Sequence, residues 1–247
     1  TFINAENQMK ITYSTISKTG KRSNNEDAFN VIDVPEKGCW MGIVCDGMGG
    51  HAMGEVASET VVKSISDYWK EHSNIPDSTE KVAEACTLAS ASIDGRADVF
   101  NHCTMGTTMV MASIQGSRIT VAHIGDSRCY LLRPGYYDYE DITNNDKDNV
   151  VYQTKDHVRL DFGWEVVEKC FLSYHPEVAV PDVAQFDVQP EDRIFICSDG
   201  LYKCIAPNIL KARLMDDKSL EDILDVFDFL CERSGDDNYT AIMARID

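Results

Sequence analysis

The residues of this chain that could do chemistry are carboxylates, and they recur in one setting: an acidic side chain beside a run of apolar residues. Ile43-Val44-Cys45 leads into Asp46-Gly47-Met48-Gly49-Gly50-His51, and Ala122-His123-Ile124 leads into Gly125-Asp126-Ser127-Arg128. Ile194-Phe195-Ile196-Cys197 leads into Ser198-Asp199-Gly200-Leu201. Asn24-Asn25-Glu26-Asp27 stands before an early apolar run, and Gly235-Asp236-Asp237-Asn238 before the last one. A carboxylate at the end of a buried strand needs a compensating charge, because burial penalises its ionised form. Clustered cations are the simplest compensation. Oxygen ligands of high charge suit hard ions that keep their waters, Mg²⁺ or Mn²⁺ rather than zinc. The glycines after Asp46 let the backbone bend tightly and expose its own carbonyl.

The elements that must position these residues follow from hydrophobic period and turn chemistry. Residues 9–16, 28–34 and 39–45 read as strands, the last two separated by the Pro35-Glu36-Lys37-Gly38 turn, and together they predict a small antiparallel meander. Ala57, Val61, Ile65 and Trp69 form an i, i+4 stripe that predicts a helix over 55–69. Asp77-Ser78-Thr79-Glu80 is a capping-box pattern, Glu80 standing three residues after an Asp77 cap, and Val82, Cys86, Ala89, Ile93, Ala97 and Phe100 continue it as a second amphipathic helix. Strands are predicted at 107–114, 118–124, 128–132 and 150–154, joined as hairpins by Gly116-Ser117 and Arg133-Pro134-Gly135. The acidic segment 138–149 lacks the glycine and terminal glutamate of a calcium loop and reads as a solvated loop. Residues 156–185 are the least regular and read as a mobile flap. A strand at 192–197, helices at 208–214 and 219–231, and a strand at 239–246 complete the chain. Strands and helices in alternating runs predict an α+β fold, two antiparallel sheets covered by helices.

Composition narrows the function classes. The 247 residues carry a formal charge of −18 with no basic run or face, which excludes nucleic acid and anionic membrane as partners. Nine cysteines without a C-x-x-C pair fit reduced thiols and a cytoplasmic protein. No targeting signal and no bilayer-length apolar stretch are visible. No shift in composition marks a linker, so residues 1–247 are expected to form a single domain. A cysteine-phosphatase loop starting at His102-Cys103 fails, because Met109 stands where that chemistry needs a phosphate-binding arginine.

In order, Arg22-x-x-Asn25-Glu26-Asp27, Asp46-Gly47-Met48-Gly49-Gly50-His51, Gly106-Thr107-Thr108, Gly125-Asp126-Ser127-Arg128, Ser198-Asp199-Gly200 and Asp237-Asn238-x-Thr240 resemble the motif series of the metal-dependent protein phosphatases, the protein phosphatase 2C family. The DGMGGH form is similar to that of bacterial serine/threonine phosphatases. The resemblance spans nearly the whole chain. It implies a four-layer α-β-β-α sandwich with a centre of two Mn²⁺ or Mg²⁺ ions, and a third ion found in many relatives. Carried over, Asp46 would bridge two metals, Asp199 and Asp237 would join it on the first, and the Gly47 carbonyl would bind the second. Glu26 and Asp27 would hold waters on the metals, Asp126 with Asp199 would serve the third ion, and Arg22 would grip the substrate phosphate. Two such ions about 4 Å apart activate a water between them and stabilise the leaving oxygen, without a phospho-enzyme. The implied reaction is hydrolysis of phosphoserine and phosphothreonine in proteins, by a monomer working opposite a serine/threonine kinase. The alternatives are a catalytically weak binding module on the same fold and a two-metal phosphodiesterase.

Three departures from the family pattern stand out. Met48 occupies the place of a histidine general acid in animal members and cannot transfer a proton, which leaves His51 or water as the candidate acid. The flap is short and lacks the usual Arg-Asn-x-x-x-Arg-x-x-Gly-like segment. Tyr202 stands where a small or polar residue is common, and nothing in the sequence accounts for it.

Overall fold

A computed structural model describes residues 9–48, 53–137 and 149–247. Its architecture follows from alternation along the strands. In β3 (Cys39–Asp46), Met41, Ile43 and Cys45 enter one apolar layer while Trp40 and Val44 enter another. Successive side chains of a strand point to opposite faces, so a strand apolar on both sides must be sandwiched. Its neighbours β2 (Asp27–Val34), β5 (Met109–Gln115), β6 (Arg118–Ile124) and β12 (Asp182–Asp187) complete a five-stranded antiparallel sheet in the order β12-β6-β5-β3-β2. The second five-stranded sheet consists of β1 (Ile11–Lys18), β7 (Arg128–Leu132), β8 (Val150–Gln153), β13 (Arg193–Cys197) and β14 (Tyr239–Ile246), ordered β1-β14-β13-β7-β8.

Between the sheets lies a core of Trp40, Val44, Val110, Ala112, Ile194, Ile196 and Ile242, among others. Outside the first sheet, α1 (Gly54–Glu71) and α2 (Thr79–Val99) bury Val61, Ile65, Val82 and Ile93 against Met41 and Ile43. Outside the second, α4 (Pro207–Leu214) and α5 (Leu220–Ser234) bury Leu210, Leu214, Ile223 and Phe227 against Phe195 and Met243. Each such side chain contributes about 1.5–3 kcal/mol by leaving water. The result is the expected four-layer sandwich.

Three expectations are corrected. The opening meander does not form: β1 pairs along its whole length with β14, while β2 pairs with β3 in the other sheet. The chain crosses between sheets at a corner containing Gly20, whose φ of +59° favours glycine, and a Cβ there would lie 2.3 Å from the Asp237 carbonyl oxygen. The predicted flap is largely regular. It holds the hairpin β9 (Val158–Asp161) and β10 (Trp164–Val167), the short β11 (Phe171–Leu172), which pairs with β4 (Gly106–Thr107), and the start of β12. Gly163, His175-Pro176 and Pro181 break these elements into pieces too short to show a period. Finally, α2 is capped by Ser78, which accepts the Lys81 N–H at 3.2 Å, while the Asp77 carboxylate turns to the Lys81 ammonium at 2.8 Å. No described helix is long and apolar enough to cross a membrane.

Candidate metal centre

Because Val44 faces the space between the sheets, Asp46, two residues further along β3, faces the same space where it opens to solvent. Asp27 begins β2 directly opposite Asp46 on the paired strand. Like charges in such a cross-strand pair are destabilising. Asp27 is only 9 % exposed, and its Oδ1 is buried without a partner, while Oδ2 accepts the Ser198 hydroxyl at 2.7 Å. Burial and the neighbouring charges of Asp199 and Asp237 push the Asp27 carboxyl up to about 7, against the hydrogen bonds of Ser198 and Thr240. Burial first, then the charges of Asp27, Asp199 and Asp126, push Asp46 well above the usual carboxylate range. The backbone at Asp46 is fixed on both sides: its N–H donates to Thr108 Oγ1 at 3.0 Å, and its carbonyl accepts Thr107 Oγ1 at 2.8 Å and the Thr108 N–H at 2.9 Å.

After Asp46 the chain turns at Gly47, whose N–H donates to the Glu26 carbonyl at 3.0 Å. A Cβ at Gly47 would lie 2.3 Å from the Gly54 carbonyl oxygen and 2.6 Å from that of Glu26, so only bare backbone fits this floor. Burial raises the Glu26 pKa, with Glu55 adding to the effect. Met48 follows, its N–H bonded to the Gly106 carbonyl at 3.0 Å. Gly49, Gly50 and the candidate acid His51 lie outside the described residues.

The opposite wall comes from the second sheet. Asp199 opens the short helix α3 (Asp199–Tyr202) directly after β13. The Lys203 ammonium lies 2.6 Å from Asp199 Oδ2 and 3.4 Å from Asp126 Oδ2. Burial raises the Asp126 pKa, reinforced by the Asp199 charge. Burial works to lower the Lys203 pKa, and the charges and hydrogen bonds of Asp199 and Asp126 outweigh it. At the mouth, Arg22 donates through Nη2 to Asp237 Oδ2 at 2.8 Å and through Nε to the Asp236 carbonyl at 3.2 Å. Asn238 ties the two ends of this wall together, donating to the Thr19 and Asn24 carbonyls at 2.7 and 2.8 Å and accepting the Glu26 N–H at 2.9 Å. Arg22, Glu26, Asp46, Gly47, Asp126, Asp199 and Asp237 thus surround one cleft of about 210 Å³. Asp27 lies just beneath it. An all-oxygen donor set, a directly opposed carboxylate pair and an orphaned buried carboxylate oxygen fit hard divalent cations.

A sequence model of protein phosphatase 2C matches residues 17–246. The chain belongs to the protein phosphatase 2C family. It is 27 % identical to the serine/threonine phosphatase stp of Listeria monocytogenes, over 92 % of both chains. It is likewise 27 % identical to the serine/threonine protein phosphatase PstP of Mycobacterium tuberculosis, covering 91 % of this chain and 43 % of that protein, so it spans under half the length of PstP. Among solved structures, the catalytic domain of PstP in complex with two manganese ions superposes with a TM-score of 0.76 at 25 % identity, over 96 % of this chain and 99 % of that one. The S. agalactiae serine/threonine phosphatase shares the fold with the same TM-score of 0.76, at 24 % identity over 96 % of this chain and 100 % of that one.

The structure also gives partners to residues that the sequence left without a role. Tyr202 now has an account: its hydroxyl donates to the Asp126 carbonyl at 3.0 Å, and its ring lies 3.6 Å from the Arg128 guanidinium carbon. Arg128 in turn makes a two-bonded pair with Asp156, at 2.9 and 2.7 Å. Ser198, Thr107 and Thr108 shape the acidic pair through hydroxyls. Their signal was present, since each stands within a motif, but a hydroxyl's partner cannot be read from a strand pattern.

A second cluster of ligand-type residues lies beside this cleft. His123, His157 and Asp182 bring candidate ligand atoms within 4.8 Å of one another. Their geometry does not suit a cation. The two imidazoles stack at 4.4 Å with planes 8° apart, so their in-plane lone pairs run side by side instead of converging. His157 Nδ1 accepts the Gly125 N–H at 3.1 Å, which places that ring's proton on Nε2, 3.2 Å from Asp182. Lys169 already pairs with Asp182 at 2.7 Å.

Proposed function

We propose that this chain catalyses hydrolysis of phosphoserine and phosphothreonine monoesters in proteins, using two Mn²⁺ or Mg²⁺ ions held at the cleft. The observation that carries this reading is the Asp27–Asp46 pair, two carboxylates set directly opposite one another with no cation among the described residues bonded to either. Asp46 would help hold both ions, with Asp199 and Asp237 joining it on one and the Gly47 carbonyl on the other. When bound, such ions activate water for in-line attack and offset the charge that develops on the phosphoryl oxygens. Glu26 and Asp27 would orient water around them as hydrogen-bond acceptors. Arg22 presents a planar fork whose direction is set by Asp237 and Asp236, so an incoming phosphate meets a pre-aimed donor. Met48 offers no proton to the leaving serine or threonine oxygen, which leaves that role to His51 or water. We also assign to the protein a monomeric state, a cytoplasmic setting and a serine/threonine kinase that supplies its substrates. The formal charge of −18 supports a protein substrate over a nucleic-acid diester.

The test is phosphate release from phosphoserine, phosphothreonine and phosphotyrosine peptides and from an aryl diester, each with Mn²⁺ and with chelator. Mn²⁺-dependent turnover of the first two is expected. Turnover of the diester alone would make the chain a phosphodiesterase, and Mn²⁺ binding without any turnover would make it a binding module.

A further inference from the structure

Lys203 occupies a position that matters for how many ions this centre holds. Its ammonium sits between Asp199 Oδ2 at 2.6 Å and Asp126 Oδ2 at 3.4 Å. Those are the two carboxylates expected to serve a third metal. We propose that Lys203 is a built-in cation that takes the place of the third ion, so that this protein binds two divalent ions and no more. The inference rests on the two-metal reading above.

Several features make the lysine a fixed part of the site. It lies four residues after Asp199, and its own N–H bonds to the Asp199 carbonyl at 2.9 Å, so one helical turn delivers the ammonium to that carboxylate. Asp126 is 6 % exposed, and Lys203 is the one cation bonded to its side chain among the described residues. Tyr202 anchors the Asp126 carbonyl, and its ring lies 6.0 Å from the Lys203 ammonium, joining the adjacent residues 202 and 203 to the same loop. Carboxylate oxygens that accept ammonium hydrogens offer no lone pair to a divalent ion on that side, and an ion placed there would meet a like charge. The Asp199 carboxylate nevertheless lines the same cleft as Asp46 and Asp237, so it can serve the first metal while it holds the lysine.

The experiment counts bound Mn²⁺ by equilibrium dialysis and calorimetry. Wild type and Lys203→Arg are expected to bind two ions, and Lys203→Ala and Lys203→Met three, the third more weakly. In the wild-type background, Asp126→Asn should change neither the count nor the affinity, because the carboxylate it removes holds a lysine and not a metal. This last measurement decides the matter even where Lys203→Ala fails to fold. Three ions in wild type, two in both Lys203→Ala and Lys203→Met, or a weakened wild-type site on Asp126→Asn would each overturn the assignment while leaving the two-metal reading standing. A wild-type protein that binds no Mn²⁺ would overturn both.

Discussion

Two clusters of ligand-type side chains lie close together in this molecule, and they differ in what the chain itself supplies. In the histidine cluster the chain supplies Asp182 with its own cation: Lys169 lies at 2.7 Å and His157 at 3.2 Å, and the hydrogen bond of Lys169, with His157 adding to it, holds the carboxyl down at about 2. Asp27 and Asp46 have no bonded cation among the described residues, and both carboxyls are pushed up. Residue type alone would rank imidazoles as the better metal ligands. What separates a site from an inventory is whether the lone pairs converge and whether the charge is already balanced.

The strongest way to break this comparison is at Asp46. Asp46→Asn should abolish Mn²⁺ binding and lower kcat at least about a thousandfold, several kcal/mol of transition-state stabilisation, while circular dichroism remains native. Asp182→Asn should leave the Mn²⁺ titration unchanged. Equal loss in both variants would mean the two clusters had been told apart wrongly.

Metal removal comes next. Mn²⁺ at about a hundred times its dissociation constant should stabilise the protein by about 2.7 kcal/mol for each ion bound, raising Tm by about 5–11 °C per ion over the value in chelator. Asp182→Asn should show the same rise. Identical melting with and without Mn²⁺ would contradict a preformed acidic cluster.

Arg22→Ala probes the rim, where the chain does supply a partner. Charge-assisted pairing with phosphate contributes about 1.5–3 kcal/mol, so kcat/KM for a phosphopeptide should fall about tenfold to a hundredfold, mainly through KM, with Mn²⁺ affinity retained. An unchanged kcat/KM would withdraw Arg22 from the site.

The smallest effect belongs to Asp182. Its depressed pKa contributes stability that is complete above the unfolded value of about 3.9 and is lost as pH falls through about 2. The side chain is half exposed, so screening holds this below about 1 kcal/mol. Acid unfolding of Asp182→Asn should therefore be slightly less steep between about pH 4 and 2 than that of wild type, a difference that would vanish if the pairs with Lys169 and His157 are formed only weakly.

Much of this was legible in the sequence because the site is built at strand ends. Apolar runs closing on Asp46 and Asp199 announce both the strand and the residue that leaves it, and strands β3, β6, β7 and β14 fall within a residue of where alternation places them. What the sequence hides is pairing. Nothing in residues 11–18 tells that their partner is β14 and not β2, since a strand's face is encoded locally and its neighbour is not. The β9–β10 hairpin escaped because four-residue strands carry too few side chains to show a period. Lys203 escaped for another reason: a lysine one turn after an aspartate is ordinary on any helix surface, and only the fold shows Asp126 on its other side.

The pairing of β1 with β14, and the hold of Asn238 on Thr19 and Asn24, have a consequence in time. Asp237 is translated 191 residues after Asp46 (237 minus 46), about ten to forty seconds later at ordinary elongation rates. Until β14 leaves the ribosome and threads between β1 and β13, one wall of the cleft is missing and β1 has no partner. The nascent chain therefore carries Asp46 and Asp27 before Asp237 can join them, and the cleft is assembled only when β14 is in place.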